Sequence, residues 1–270
     1  MIDWIAFDAD DTLWTNELLY REARTDTLTG LGNRLALDEH LRTRVEHEAR
    51  LPAAERSSVT VLFVDVDHFK RFNDALGHAV GDGLLVEVAN ELDELIEEVG
   101  ADAARFFFLL RSPGAQMEFD LDLAKKQSSE NPVFYVQYAH ARLAGILRRA
   151  TEQGLSPEGG DVTLLTRGHE LALVREMMRL SEVIQVAATT FEPQHLPHYA
   201  MSLATAFHAF NDAFKVQNDS ALKVITEDEA LSRARLRLVQ AAKISLARVL
   251  GLMGMTAPER MDRAEAAIEG

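Results

Sequence analysis

The chain contains no cysteine, which rules out disulfides and thiolate metal ligands and fits a cytoplasmic location. It also lacks any uninterrupted apolar run near the roughly 18 residues that mark a membrane-spanning helix, so no membrane association is expected. There is no basic excess. The net charge is −15, which argues against indiscriminate attraction to phosphate and so against general DNA binding. No signal peptide is expected, because the opening MIDWIAFDADDTLW is acidic where such a leader is basic. What remains is a 270-residue chain with an ordinary apolar share of 47%, enough for one large or two small domains. Its charge is uneven. Residues 1–92 hold 9 Lys+Arg against 18 Asp+Glu, and residues 93–270 hold 19 against 25. The longer part is closer to neutral per residue and has room for basic patches.

The stretch NPVFYVQYAHARLAGILRR, Asn131 to Arg149, is the most informative. Asn131 is a natural N-cap and Pro132 suits the first helical position. Val133, Val136, Tyr138, Ala139, Leu143, Ile146 and Leu147 then recur at helical spacing, so a helix with a broad buried face is predicted to about Gln153. GLSPEGGD reads as a loop. Helices are predicted over Ala101–Leu110, Glu170–Leu180 and Ser181–Thr190, and over a further stretch whose face includes Leu203, Phe207, Phe210 and Phe214. Thr226 with Glu229, and Thr256 with Glu259, have the spacing of capping boxes, each predicting one more helix. The fold class expected is mainly α, a helical bundle preceded by a small, incomplete α/β unit.

DAARFFFLLRSPGAQMEFDLDLAKKQSSENPVFYVQYAHAR, Asp102 to Arg142, and ARLRLVQAAKISLARVLGLMGMTAPERM, Ala234 to Met261, resemble arginyl-tRNA synthetases. The resemblance covers about two thirds of the chain, from about residue 93. It implies the DALR-type bundle that binds the anticodon stem and loop of tRNA. Reading unstacked bases takes aromatic or thioether surface, with Arg or Lys for phosphates. By resemblance, Tyr138, Phe210, Asn211 and Met261 would meet bases. Arg142 would supply charge, as would Arg148, Arg149, Arg233, Arg235, Arg237, Lys243 and Arg248. Where the family usually has Phe-Tyr and a polar residue, this chain has Phe210-Asn211-Asp212, which loses a stacking ring. Nine residues, DRAEAAIEG, follow Met261 and are expected to crowd a base pocket there. Neither the His-x-Gly-His nor the Lys-Met-Ser-Lys-Ser type of ATP signature of these ligases occurs, so no aminoacylation is expected.

Two other fragments stand in front. FDADDTLWTNE resembles the first motif of the haloacid-dehalogenase (HAD) phosphohydrolases, and residues 1–24 are assigned to it. That resemblance implies Asp8 as nucleophile, Asp10 as general acid/base and Mg²⁺ as cofactor. TDTLTGLGNRLALDEHL and VTVLFVDVDHFKRFNDALGHAVGDGLL, within residues 25–92, resemble the front half of a GGDEF (diguanylate cyclase) domain. This implies Asp65 as a Mg²⁺ ligand, phosphate near the His68 and Phe69 backbone, and Asn73 and Asp82 as guanine-binding residues. The Gly-Gly-Asp/Glu-Glu-Phe signature is missing. Helices are predicted over Arg34–Arg50 and from Asp82, the latter running across the join into the synthetase-like part. Ile2–Phe7 and Val59–Val64 read as strands. A right-handed crossover would make them parallel neighbours. Asp8 and Asp10 would then face Asp65 and Asp67 across roughly 5 Å, a set that suits Mg²⁺ or Ca²⁺.

Three resemblances in one chain suggest a chimera. The leading expectation is a tRNA-binding module without catalysis. The alternatives are a Mg²⁺-dependent phosphohydrolase or nucleotide-binding protein built on the acidic motifs, or a chimera with no activity. Oligomeric state stays open.

Overall fold

Val61 to Val64 is a short apolar run ending in Asp65, and it lies beside Trp4–Asp8 in a two-stranded parallel sheet. The computed structural model describes residues 4–8, 42–43, 46, 50, 61–65, 69–112 and 119–261. The helix predicted over Arg34–Arg50 therefore falls almost entirely outside the described residues. The chain divides into two compact units, Met1–Ala104 and Arg105–Gly270.

In the first unit β1 (Trp4–Asp8) and β2 (Val61–Asp65) pair in register from Trp4 with Val61 to Asp8 with Asp65. The strands pair in parallel, as expected, while nearly all of the connection between them lies outside the described residues. Two helices follow, α1 (Phe69–Leu76) and α2 (His78–Val99). Gly77, at φ 89°, makes the turn between them, a backbone conformation that costs glycine least. The helix predicted from Asp82 thus begins four residues earlier. Phe69, Asn73, Leu85 and Ala89 are buried in this unit. The helices approach so closely that a Cβ at Gly81 would collide with the Asn73 side chain. Helix α2 is continuous past residue 92, where the two resemblances meet. Gly100, at φ 84°, separates it from α3 (Ala101–Leu109), which holds the boundary between the units.

The second unit is helical. It contains α4 (Leu121–Lys125), α5 (Pro132–Glu152), α6 (Gly168–Met178), α7 (Leu180–Thr190), α8 (His195–Val216) and α9 (Glu229–Leu252). Asn131 caps α5 by accepting the Val133 N–H, and Pro132 occupies the first turn, as expected. Helices α5, α6, α8 and α9 pack together. Val136, Ala139 and Leu143 of α5, Leu173 of α6, Phe207 and Phe210 of α8, and Leu236, Val239 and Leu246 of α9 are all buried in this unit. The many alanines on these faces let the helix backbones approach. No helix among the described residues is long and apolar enough to cross a membrane.

One ion pair is sealed in this unit. Arg235 on α9 donates Nε–H to Glu170 Oε1 at 2.7 Å, and both side chains are at most 1% exposed. Its Nη1 also donates to the Ala221 and Lys223 carbonyls, while Glu170 Oε2 accepts the Arg167 N–H at the start of α6. The pair closes the helix start and a loop in one network.

Both predicted capping boxes need correction. Helix α9 is capped by Asp228, which accepts the Leu231 N–H, whereas the Thr226 hydroxyl turns to the Asp228 carbonyl and to Ser232. No helix opens at Thr256. Residues 255–261 form an irregular strap, because their polar groups are already engaged with helices. Gln137 donates to the Thr256 carbonyl and hydroxyl, His140 Nδ1 lies 2.9 Å from the Pro258 carbonyl, and Lys243 pairs with Glu259 at 2.6 Å.

Candidate nucleic-acid interface

The strap delivers Arg260 and Met261 to the rim of a cavity of about 590 Å³ between α5 and α8. Tyr138, Arg142, Arg148 and Arg149 reach it from α5; Tyr138, Arg142 and Arg149 recur at whole helical turns on one face, and Arg148 stands on the flank beside Arg149. Asn211 and Phe214 reach it from α8. Four guanidinium groups, one phenol, one phenyl ring and one thioether therefore surround a single opening. A pocket of that composition takes a planar ring carried on an anionic backbone.

Most of the cationic charge is held in no short ion pair. Arg148, Arg149 and Arg260 have no hydrogen bond or close ion pair among the described residues, although the Glu259 carboxyl is kept ionised by Lys243 with help from the Arg148 charge. Arg142 is the exception. Its Nη2 donates to Asp212 Oδ1 at 2.8 Å and its Nη1 to Oδ2 at 3.4 Å, with the two side chains 27% and 31% exposed. Asp212 also accepts from Asn211 Nδ2 at 2.9 Å and lies 3.5 Å from Lys215 Nζ. Burial opposes its ionisation, but the Arg142 charge and these hydrogen bonds outweigh it and hold the carboxyl below the usual range.

Behind the cavity Tyr138 lies parallel to Phe134, centroids 5.8 Å apart, and to His208 at 6.3 Å. Burial, seconded by the Arg142 charge, pushes the His208 imidazole down to about 4. It is therefore neutral at pH 7 and backs the Tyr138 ring from inside the bundle. On α5, beneath the strap, burial likewise lowers His140, in spite of its bond to the Pro258 carbonyl.

The sequence-predicted residues separate cleanly. Tyr138, Arg142, Asn211 and Met261 meet at the cavity, with Arg148 and Arg149. Phe210 does not: it is fully buried with its ring against His169, because α8 turns that position into the core. Phe214, one helical turn on, supplies the ring instead. Arg235 is no phosphate contact, being sealed with Glu170. Arg233 pairs with Glu229, Arg237 donates to the Gly160 carbonyl, Lys243 pairs with Glu259, and Arg248 is exposed away from the cavity. Arg260 was missed. It sits in a segment read as a helix cap, and only its place beside Met261 could have signalled it.

In the first unit Asn73 is buried against α2 and Asp82 is exposed. Asp8 and Asp65 end paired strands, while Asp10, Asp67 and His68 lie outside the described residues. Among the described residues no group of three or more His, Asp or Glu is placed to hold a metal.

Residues 136–261 match the DALR anticodon binding domain family. Residues 23–107 match the diguanylate cyclase, GGDEF domain family. The chain is 54% identical over 170 residues to an arginine–tRNA ligase of Dehalococcoides mccartyi, covering 63% of this chain and 29% of that protein. It is 51% identical over 177 residues to the arginine–tRNA ligase of Heliobacterium modesticaldum, covering 63% and 30%. The chain thus spans about three tenths of the length of the curated relatives it matches. The Thermus thermophilus arginyl-tRNA synthetase structure superposes with a TM-score of 0.54 at 27% identity, covering 77% of this chain and 36% of that one. Over residues 136–261 the helical unit is similar to the anticodon-binding domain of arginine–tRNA ligases.

Proposed function

We propose that the helical unit binds the anticodon loop of a tRNA, of the kind that accepts arginine, in the cavity between α5 and α8, without ligating an amino acid to it. The observation that carries this reading is the meeting of Arg142, Arg148, Arg149 and Arg260 with Tyr138, Phe214 and Met261 around one opening, in a chain whose net charge is −15. Positive charge gathered against that background marks where a polyanion docks. The rings and thioether stack on bases while the guanidiniums neutralise phosphates. No catalytic step is assigned, and a tRNA partner accords with the cytoplasmic location expected from the cysteine-free composition. Titrating the full chain with tRNA for arginine tests the reading. Three or four phosphate contacts predict an affinity that falls with salt at a log–log slope of about −2 to −3. Binding insensitive to salt, or none at low salt, would contradict it.

A second reading is favoured by the strand register, which sets Asp8 beside Asp65. Parallel neighbours end on one edge, where ligands of α/β sheets bind. A hard cation, Mg²⁺ or Ca²⁺, held between those strand ends would serve a phosphohydrolase or a nucleotide-binding site. Stabilisation by millimolar Mg²⁺ that disappears on combining Asp8→Asn with Asp65→Asn supports it, and stabilisation that survives the double change removes it.

A further inference from the structure

The strap ends on the cavity itself. Arg260 and Met261 are its last described residues and both line the opening, so residues 262–270 leave from the rim. Three contacts with helices fix that point: Gln137 with Thr256, His140 with Pro258, and Lys243 with Glu259 at 2.6 Å. Residues 262–270, DRAEAAIEG, lie outside the described residues, and it is their composition that bears on the cavity. Asp262, Glu265 and Glu269 set three carboxylates against the single guanidinium of Arg263.

The cavity offers what those carboxylates need. Arg148, Arg149 and Arg260 make no short ion pair among the described residues, and they stand around one opening. Arg142, the fourth guanidinium there, already holds a carboxylate, that of Asp212 at 2.8 Å. A carboxylate is therefore an acceptable partner at this wall, and three guanidiniums remain for three acids. Reach is ample. Nine residues span about 30 Å extended or about 13 Å as a helix, while a round cavity of about 590 Å³ is about 10 Å across. Attachment at the rim also holds the acids at a local concentration on the order of millimolar, whatever the protein concentration. We propose that residues 262–270 are an autoinhibitory segment, whose carboxylates pair with Arg148, Arg149 and Arg260 and must be displaced before a polyanion enters. The inference rests on the proposed binding of a tRNA loop in the same cavity, and it adds how that site is regulated. Each exposed carboxylate–arginine pair is weak, so the segment lowers affinity without abolishing it.

The test keeps the full chain and neutralises the segment by combining Asp262→Asn, Glu265→Gln and Glu269→Gln. Its control combines Glu87→Gln, Glu91→Gln and Glu94→Gln, three exposed acids on α2 in the other unit, and changes the net charge equally. Expected is binding of tRNA for arginine about fivefold tighter in the first variant than in the control, a gain that shrinks as salt rises. Phenylglyoxal, which attacks guanidinium groups, gives a reading without RNA. Peptide mass spectrometry should find Arg148 and Arg149 modified severalfold faster in the first variant than in the unaltered chain, with Arg248 unchanged. Equal tRNA affinities in the two variants, or equal modification rates at Arg148 and Arg149, overturn the inference and leave tRNA binding standing. Rates in the unaltered chain that fall as protein concentration rises place the segment on a second copy and overturn the contact within one chain. Failure of every variant to bind tRNA at low salt overturns the proposed function, and the modification rates still decide the contact.

Discussion

Two arginine–carboxylate pairs join helices of the same unit, and they have opposite fates. Arg235 and Glu170 are at most 1% exposed, and the guanidinium also serves two backbone carbonyls. Arg142 and Asp212 are 27% and 31% exposed, and Arg142 lines a cavity together with three further arginines that make no short ion pair among the described residues. The chemistry is the same and the environment differs. The first pair is spent on the fold, because breaking it strands a charge without water. The second contributes little to stability, because solvent screens both partners, but its arginine can exchange one anion for another. Exposure, more than residue type, decides which arginine is structural and which faces a ligand.

The comparison is broken most forcefully at Glu170. Glu170→Ala should cost about 3–5 kcal/mol, read as a lowered urea midpoint or melting temperature, and Glu170→Gln should cost less because the amide oxygen still accepts. A loss under about 1 kcal/mol would mean the pair is not the latch described here.

Acid should act next. The unfolded His208 takes up a proton near pH 6.5, but in the folded chain burial, with the Arg142 charge, pushes its imidazole down to about 4. Between those values the unfolded state binds more protons, so stability rises with pH across that window and is lost as pH falls through it. The effect is about 2–3 kcal/mol. His140 and His169, both lowered mainly by burial, act in the same sense. Urea midpoints at pH 7 and pH 4.5 should differ accordingly, and His208→Phe should shrink the difference.

Arg142→Ala sharpens the other side of the comparison. It should change stability by no more than about 1 kcal/mol, yet weaken tRNA binding about tenfold and lower the salt slope by about 1. Melting curves and a salt titration of the same preparation read both.

How much of this was legible beforehand follows the same line. The α5 start was readable because Asn131 and Pro132 state it locally, and the parallel strands because chirality leaves one economical crossover. Tyr138, Arg142, Asn211 and Met261 were readable as a group only through the family resemblance. Phe210 was misplaced by one helical turn, since α8 carries apolar residues on the core side and the cavity side alike and spacing does not say which is which. The two capping boxes failed for a tertiary reason. Thr226 and Thr256 have the right spacing, but their polar groups are taken by Ser232 and Gln137, contacts that no local pattern encodes. Arg260 was missed because the strap that carries it is held by those same long-range bonds.

A smaller change probes the departure from the family. Asn211→Tyr should restore a stacking ring at the cavity and strengthen tRNA binding by about 1 kcal/mol, the low end for base–aromatic stacking. Unchanged or weaker binding would show that the missing ring is not what limits affinity.

The most direct test of the central claim compares two reversals of identical charge. Arg148 lines the cavity and Arg248 is exposed on α9 without lining it. Arg148→Glu and Arg248→Glu each change the net charge by two, so any general electrostatic effect on tRNA affinity is shared. The account predicts that Arg148→Glu weakens binding of tRNA for arginine at least tenfold more than Arg248→Glu does at the same salt. Equal losses in the two variants would contradict a binding site in the cavity.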